Sequence, residues 1–120
     1  MTKVLIVDDD LVARILARHV VSSSGWQPIE ASNGAEALEL FKQENIDIIL
    51  CDQEMPGLNG LEVLQEIRRS SDVPFILLTG HVEEDELDLD NYDISSYITK
   101  PVSSSQLKQS INEALSLKSL

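Results

Sequence analysis

The chain has 120 residues, enough for one domain around a single core; 42% of them are hydrophobic and 25% charged. Its net charge of −12, from 21 acids against 9 bases, argues against direct nucleic-acid binding, which needs a basic face. No apolar run approaches the roughly 20 residues of a membrane span, and residues 1–7 lead into aspartates instead of a secretory cleavage site. The expectation is one cytoplasmic domain over 1–120, without membrane insertion and without an output domain. The lone cysteine, Cys51, excludes an internal disulfide or a thiolate metal site; lying in an apolar run, it reads as a packed core thiol.

Residues 4–7 form a short, nearly continuous apolar run that ends in Asp8-Asp9-Asp10. Runs of this kind, lacking in/out alternation, mark strands covered on both faces. Leu11, Val12, Ile15, Leu16, His19 and Val20 then recur at helical spacing and stop at Gly25. That stripe is the expected core face of a first helix, with Asp10 as its N-cap. Residues 27–31 read as a weaker second strand. Pro28 cannot donate to a ladder, so this strand belongs at a sheet edge.

Ser32-Asn33-Gly34 signals the cap of a second helix carrying Ala35, Leu38 and Phe41. Residues 46–51 are a third strand, which runs into Asp52. Pro56 and Gly57 tighten the following loop, and Asn59-Gly60 permits positive φ before a third helix with Leu61, Leu64 and Ile67. Residues 75–79 are the fourth strand. A helix over 82–91 is expected but crowded with like charge, and residues 97–99 form the fifth strand. Serines 103–105 open the last helix, whose apolar positions are Leu107, Ile111, Ala114 and Leu115.

The resulting βαβαβαβαβα order specifies a parallel sheet wrapped by five helices. The flavodoxin-like strand order 2-1-3-4-5 puts the Pro28 strand at the edge and a ligand site outside the carboxyl ends of strands 1 and 3. Strand 1 ends in Asp8 and Asp9, strand 3 in Asp52 with Glu54 two residues on, strand 4 in Thr79 and strand 5 in Lys100, all on the same rim. Taken singly, each has an ordinary reading: a cap or turn aspartate, a solvated lysine, a strand threonine. Together they carry chemistry. Clustered carboxylates repel unless a cation neutralises them, and oxygen ligands suit Mg²⁺. A lysine balances the charge of an incoming phosphoryl group, and a threonine hydroxyl can donate to a phosphate oxygen. Asp52 is then placed to attack phosphorus and form an acyl phosphate.

Four segments in this order, VLIVDDD, DIILCDQEMPGLNG, ILLTG and YITKP, resemble the response-regulator receiver family over essentially the whole chain. The resemblance implies that Asp52 is the phosphoacceptor of a two-component phosphorelay. It implies Mg²⁺ held directly by Asp9 and Asp52, by Asp8 mainly through water, and by the backbone carbonyl of Glu54. Thr79 becomes the switch hydroxyl, Tyr97 the switch aromatic and Lys100 the conserved-type lysine, with a cis bond before Pro101. The implied donor is a histidine kinase or histidine phosphotransfer protein. A downstream protein target reads the face made by the fourth helix, fifth strand and fifth helix. No enzyme activity is implied beyond the chain's own phosphorylation and dephosphorylation.

The chain departs from the family pattern at Gly80, where Ala is usual, and at the turn over residues 92–96, which lacks Gly-Ala. Between Asp72 and Asp93 inclusive there are eight acids and no Lys or Arg, which weakens a helix there. Glu54, two residues past Asp52, is expected to tune the lifetime of the phosphoryl group. His19 and His81 read as non-catalytic and Trp26 as a packing residue. Two rival readings remain: a docking module of the same fold that acts without phosphorylation, and a haloacid-dehalogenase-type phosphatase using Asp8 and Asp10. The latter needs a later acidic metal motif, and after Lys100 only Glu113, inside a helix, is acidic.

Overall fold

A computed structural model describes residues 1–80 and 92–118. Its strands are β1 (Lys3–Val7), β2 (Gln27–Ala31), β3 (Ile48–Asp52), β4 (Phe75–Thr79) and β5 (Ser96–Thr99). They form one parallel sheet in the order β2-β1-β3-β4-β5. The helices are α1 (Leu11–Ser23), α2 (Gly34–Gln43), α3 (Gly60–Arg68) and α4 (Ser104–Lys118). This is the flavodoxin-like, doubly wound arrangement. The helix expected over 82–91 lies outside the described residues, so the C-terminal helix carries the label α4. β2 is an edge strand, and Pro28 sits in it opposite Val4.

Strand side chains alternate between two cores, which is why the strands read as unbroken apolar runs. Leu5, Val7, Ile49, Cys51, Phe75 and Leu77 pack under α2 and α3. Val4, Ile6, Ile48, Leu50, Ile76 and Leu78 pack under α1 and α4, with Trp26 partly buried at the margin of that core. Burying each large side chain contributes about 1.5–3 kcal/mol, so neither face can be left to water.

Each helix begins at the carboxyl end of the sheet, held by a side-chain cap. Asp10 accepts from the Val12 amide at 3.3 Å and Asn33 from Glu36 at 2.8 Å. Asn59 and Glu62 exchange side-chain and backbone bonds at 2.9 Å in a capping box. Ser103 and Gln106 do the same at 3.1 and 3.0 Å. Four helix N-termini and their partial positive charge therefore face the rim where the strands end.

The phase expected for α1 is corrected. Its buried residues are Ala17, Val20 and Val21, with Ala13 partly buried on the same side. Leu11, Val12 and Leu16 lie 58%, 64% and 63% exposed, and Ile15 and His19 are exposed as well. The core face is the run 13, 17, 20, 21, whose alanines let the helix approach the sheet closely. Of the expected stripe Val20 is buried, and Leu11, Val12, Ile15, Leu16 and His19 fall on the outer side.

Candidate functional site

Asp8 follows β1 and Asp52 ends β3; both are buried, at 5% and 3% exposure, whereas Asp9 stands in solvent. The Asp8 amide donates to the Ala31 carbonyl at 3.1 Å, and its Oδ1 accepts from the Asp10 amide at 2.9 Å. One carboxylate oxygen from each of Asp8, Asp9 and Asp52 lies within 4.8 Å of the others. Burial raises the Asp8 pKa to about 6, opposed by the Asp10 amide and reinforced by the Asp52 charge. Burial also raises the pKa of Asp52, against the hydrogen bond and charge of Lys100. Three carboxylates forced this close, two of them buried, suit a small hard cation that takes oxygen ligands.

Lys100 follows β5, and its Nζ donates to Asp52 Oδ1. Burial works against its charge, but the bond to Asp52 and that carboxylate's charge outweigh it and raise the ammonium pKa. The Lys100 amide donates to the Thr79 carbonyl at 2.9 Å, and the Lys100–Pro101 bond is cis. Thr79 ends β4 fully buried, and its hydroxyl donates to Glu54 Oε1 at 3.0 Å. The Gly80 amide donates to the same oxygen at 3.3 Å. Sheet register thus gathers Asp8, Asp9, Asp52, Lys100, Thr79 and Glu54 on one rim. Tyr97, two residues before Thr99 on β5, is exposed and makes no part of the cluster.

The loop after β3 is fastened by a residue that sequence reasoning passes over. Gln53 is buried; its Oε1 accepts from the Leu61 amide at 2.9 Å and its carbonyl from Gly60 at 3.1 Å. Its own amide donates to the Leu78 carbonyl at 2.9 Å. Met55 is buried in the core under α2 and α3, and Pro56 is exposed at the bend. The expected positive φ at Asn59-Gly60 is corrected: Gly57 takes it, at 78°, and Asn59 serves as the N-cap of α3. Gly60 is needed for close approach instead. A Cβ there would stand 2.6 Å from Leu77 Cδ1 and 2.7 Å from the Asp52 carbonyl oxygen.

Arg14 is a second residue missed. Its Nη1 donates to the Asp8 carbonyl at 2.9 Å and its Nε to Glu30 Oε1 at 3.4 Å, which ties α1 and β2 to the end of β1. The available signals were a polar Gln next to an end-of-strand aspartate, and an Arg inside an apolar helix stripe. Between α1 and α4 lies a cavity of about 350 Å³, floored by Ile6, Leu50 and Leu78, that opens beside Asp8 and Lys100.

A doubly wound parallel sheet that closes three carboxylates and a lysine over its β1/β3 switch point is the architecture of a receiver-type signalling domain. The family profile described as "Response regulator receiver domain" matches residues 4–112, and the chain belongs to that family. Among its relatives is Sporulation initiation phosphotransferase F of Bacillus subtilis, 30% identical over 119 residues, covering 98% of this chain and 96% of that protein. The Probable transcriptional regulator ycf27 of Guillardia theta is 42% identical over 115 residues, covering 94% of this chain and 45% of that protein. The chain thus spans about half the length of the ycf27 proteins it matches. Among solved structures, response regulator protein TrrA of Thermotoga maritima, in complex with Mg(2+)-BeF, superposes with a TM-score of 0.86 at 35% identity. That match covers 96% of this chain and 100% of the other.

Proposed function

We propose that this receiver domain takes a phosphoryl group onto Asp52 from the phosphohistidine of a histidine kinase or histidine phosphotransfer protein. The observation that carries this is the buried Asp52 carboxylate, bonded to Lys100 and within reach of Asp8 and Asp9. In the transfer, an Asp52 oxygen attacks phosphorus, the P–N bond breaks, and its electron pair leaves on the imidazole nitrogen. Lys100 pairs with the phosphoryl charge, and the Thr79 hydroxyl turns to donate to a phosphoryl oxygen.

Asp8, Asp9, Asp52 and the Glu54 carbonyl would hold Mg²⁺, which neutralises charge on the phosphoryl oxygens. That the Thermotoga maritima protein was solved in complex with Mg(2+)-BeF supports the magnesium reading. Tyr97 then moves inward, and a face that includes β5 and the C-terminal helix α4 presents the phosphorylated state to a downstream protein. Catalysis is confined to the chain's own phosphorylation and dephosphorylation, in a single cytoplasmic domain over 1–120. Among the described residues, no helix is long and apolar enough to cross a membrane. Leu11, Val12, Ile15 and Leu16 on α1 are exposed beside the aspartates and form the surface on which the phosphohistidine partner docks.

Incubation with Mg²⁺ and a small phosphodonor should add the mass of one phosphoryl group to the wild type and none to Asp52→Asn. Addition of a chelator should prevent the gain. Retained phosphorylation in Asp52→Asn, or none in the wild type, would overturn the assignment.

A further inference from the structure

The Glu54 side chain stands apart from the metal role its backbone would play. It is exposed to solvent, yet one of its oxygens accepts from two groups at the end of β4, the Thr79 hydroxyl at 3.0 Å and the Gly80 amide at 3.3 Å. The hydroxyl is fully buried and needs an acceptor, since a buried polar group left unmade costs about 1–3 kcal/mol. Gly80 is exposed, and among the described residues nothing lies within 4 Å of where its Cβ would stand. Glu54 also lies within electrostatic reach of the reacting groups. Burial raises the pKa of Asp52 most and Lys100 acts to lower it, while the Glu54 charge raises it further and adds to the rise at Lys100.

We propose that the Glu54 carboxylate is an internal stand-in for a phosphoryl oxygen, holding the Thr79 hydroxyl and Gly80 amide until phosphorylation of Asp52 displaces it. This rests on the phosphoacceptor reading of Asp52. Two donors converging on one anionic oxygen make a small oxyanion site, and a phosphoryl group on Asp52 would bring oxygens to the same rim. A carboxylate and a phosphoryl dianion cannot share it, because like charges in a partly buried site repel strongly. One must leave. Glu54 is exposed to solvent, whereas the phosphoryl group is tethered to β3. The exchange holds Thr79 in its resting position and makes its movement conditional on phosphate. Glu54 is a positioning residue in this scheme, acting through Thr79 and Gly80.

Glu54→Ala removes the competing oxygen, and Glu54→Gln keeps an acceptor but drops the charge. The probe is beryllofluoride with saturating MgCl₂, titrated calorimetrically. Affinity should rise about tenfold in Glu54→Ala, or about 1.4 kcal/mol, with Glu54→Gln between it and the wild type. In metal-free protein the Gly80 amide proton should move upfield in Glu54→Ala, as expected when a bond to a carboxylate is lost. The gain from Glu54→Ala should shrink in a Thr79→Val background, since the hydroxyl is one of the two donors released. Simple repulsion of beryllofluoride by Glu54 would leave that gain intact. Equal affinity in wild type and Glu54→Ala, an unmoved Gly80 amide, or a gain indifferent to Thr79→Val overturns the stand-in while Asp52 keeps its role. Absence of beryllofluoride binding in the wild type overturns the phosphoacceptor reading, and the stand-in with it.

Discussion

Helices α1 and α3 begin at the same acidic rim on opposite faces of the sheet, and they spend their apolar residues in opposite ways. In α3 the residues Leu61, Val63, Leu64 and Ile67 are all buried. In α1 the residues that meet the core are small or medium, Ala17, Val20 and Val21, while Leu11, Val12 and Leu16 face water. Both helices are equally tied to the site, α3 through Gln53 and Gly60, α1 through Asp10 and Arg14. The difference teaches that two helices at one rim can pack to different depths, and on the function proposed above it leaves part of α1 to recognition. α3 is a wall that keeps the phosphoacceptor strand in place. α1 is half wall and half surface, with an exposed apolar face beside the carboxylates, where the proposed phosphohistidine donor would arrive.

The sharpest way to break that contrast is a large-to-small change on the wall. Ile67→Ala should lower unfolding free energy by about 3 kcal/mol in denaturant melts, because a fully packed side chain leaves a cavity. A loss within experimental error would show that α3 is not the wall.

The next largest effect belongs to Asp8, which sits between the helices. Its folded carboxyl keeps its proton up to about pH 6, against an ordinary value of 3.8. Between those values the folded state holds more protons than the unfolded chain, so stability falls as pH rises through that window. In chelator, melts from pH 4 to 7 should show the wild type losing about 2 kcal/mol more than Asp8→Asn. Parallel curves would mean that Asp8 is not desolvated as described.

The smallest stability effect is expected on the outer face of α1. Val12→Ser should change stability by less than about 0.5 kcal/mol. It should nevertheless slow phosphoryl transfer from a phosphohistidine protein by about tenfold, measured by phosphotransfer kinetics. A destabilised Val12→Ser with normal transfer would reverse the roles given to the two faces.

Much of this molecule is legible from its sequence because the signals are local or periodic. The apolar runs announce strands covered on both faces, and all four capped helices start where Asp, Asn or Ser precedes them. The rim residues follow from chain order alone, since a parallel sheet brings every strand's carboxyl end to one side. What the pattern misplaces is the face of α1. Hydrophobicity ranks Leu and Ile above Ala, whereas close helix–sheet approach selects Ala. Likewise a glycine before a helix suggests positive φ, but Gly60 is required by contact with Leu77 and the Asp52 carbonyl, neither a neighbour in sequence.

The sequence by itself determined the parallel βα order, the edge position of β2 through Pro28, and the set of carboxylate, hydroxyl and ammonium groups at the strand ends. These depend on spacing, dihedral limits and donor inventory, all written along the chain. Only the tertiary structure decided that Asp8 and Asp52 are buried while Asp9 is not, that Lys100 bonds Asp52, and that Glu54 holds Thr79 and Gly80. Those facts depend on which atoms the register of β1, β3, β4 and β5 brings within a few ångströms. Desolvation and hydrogen bonding are decided at that distance.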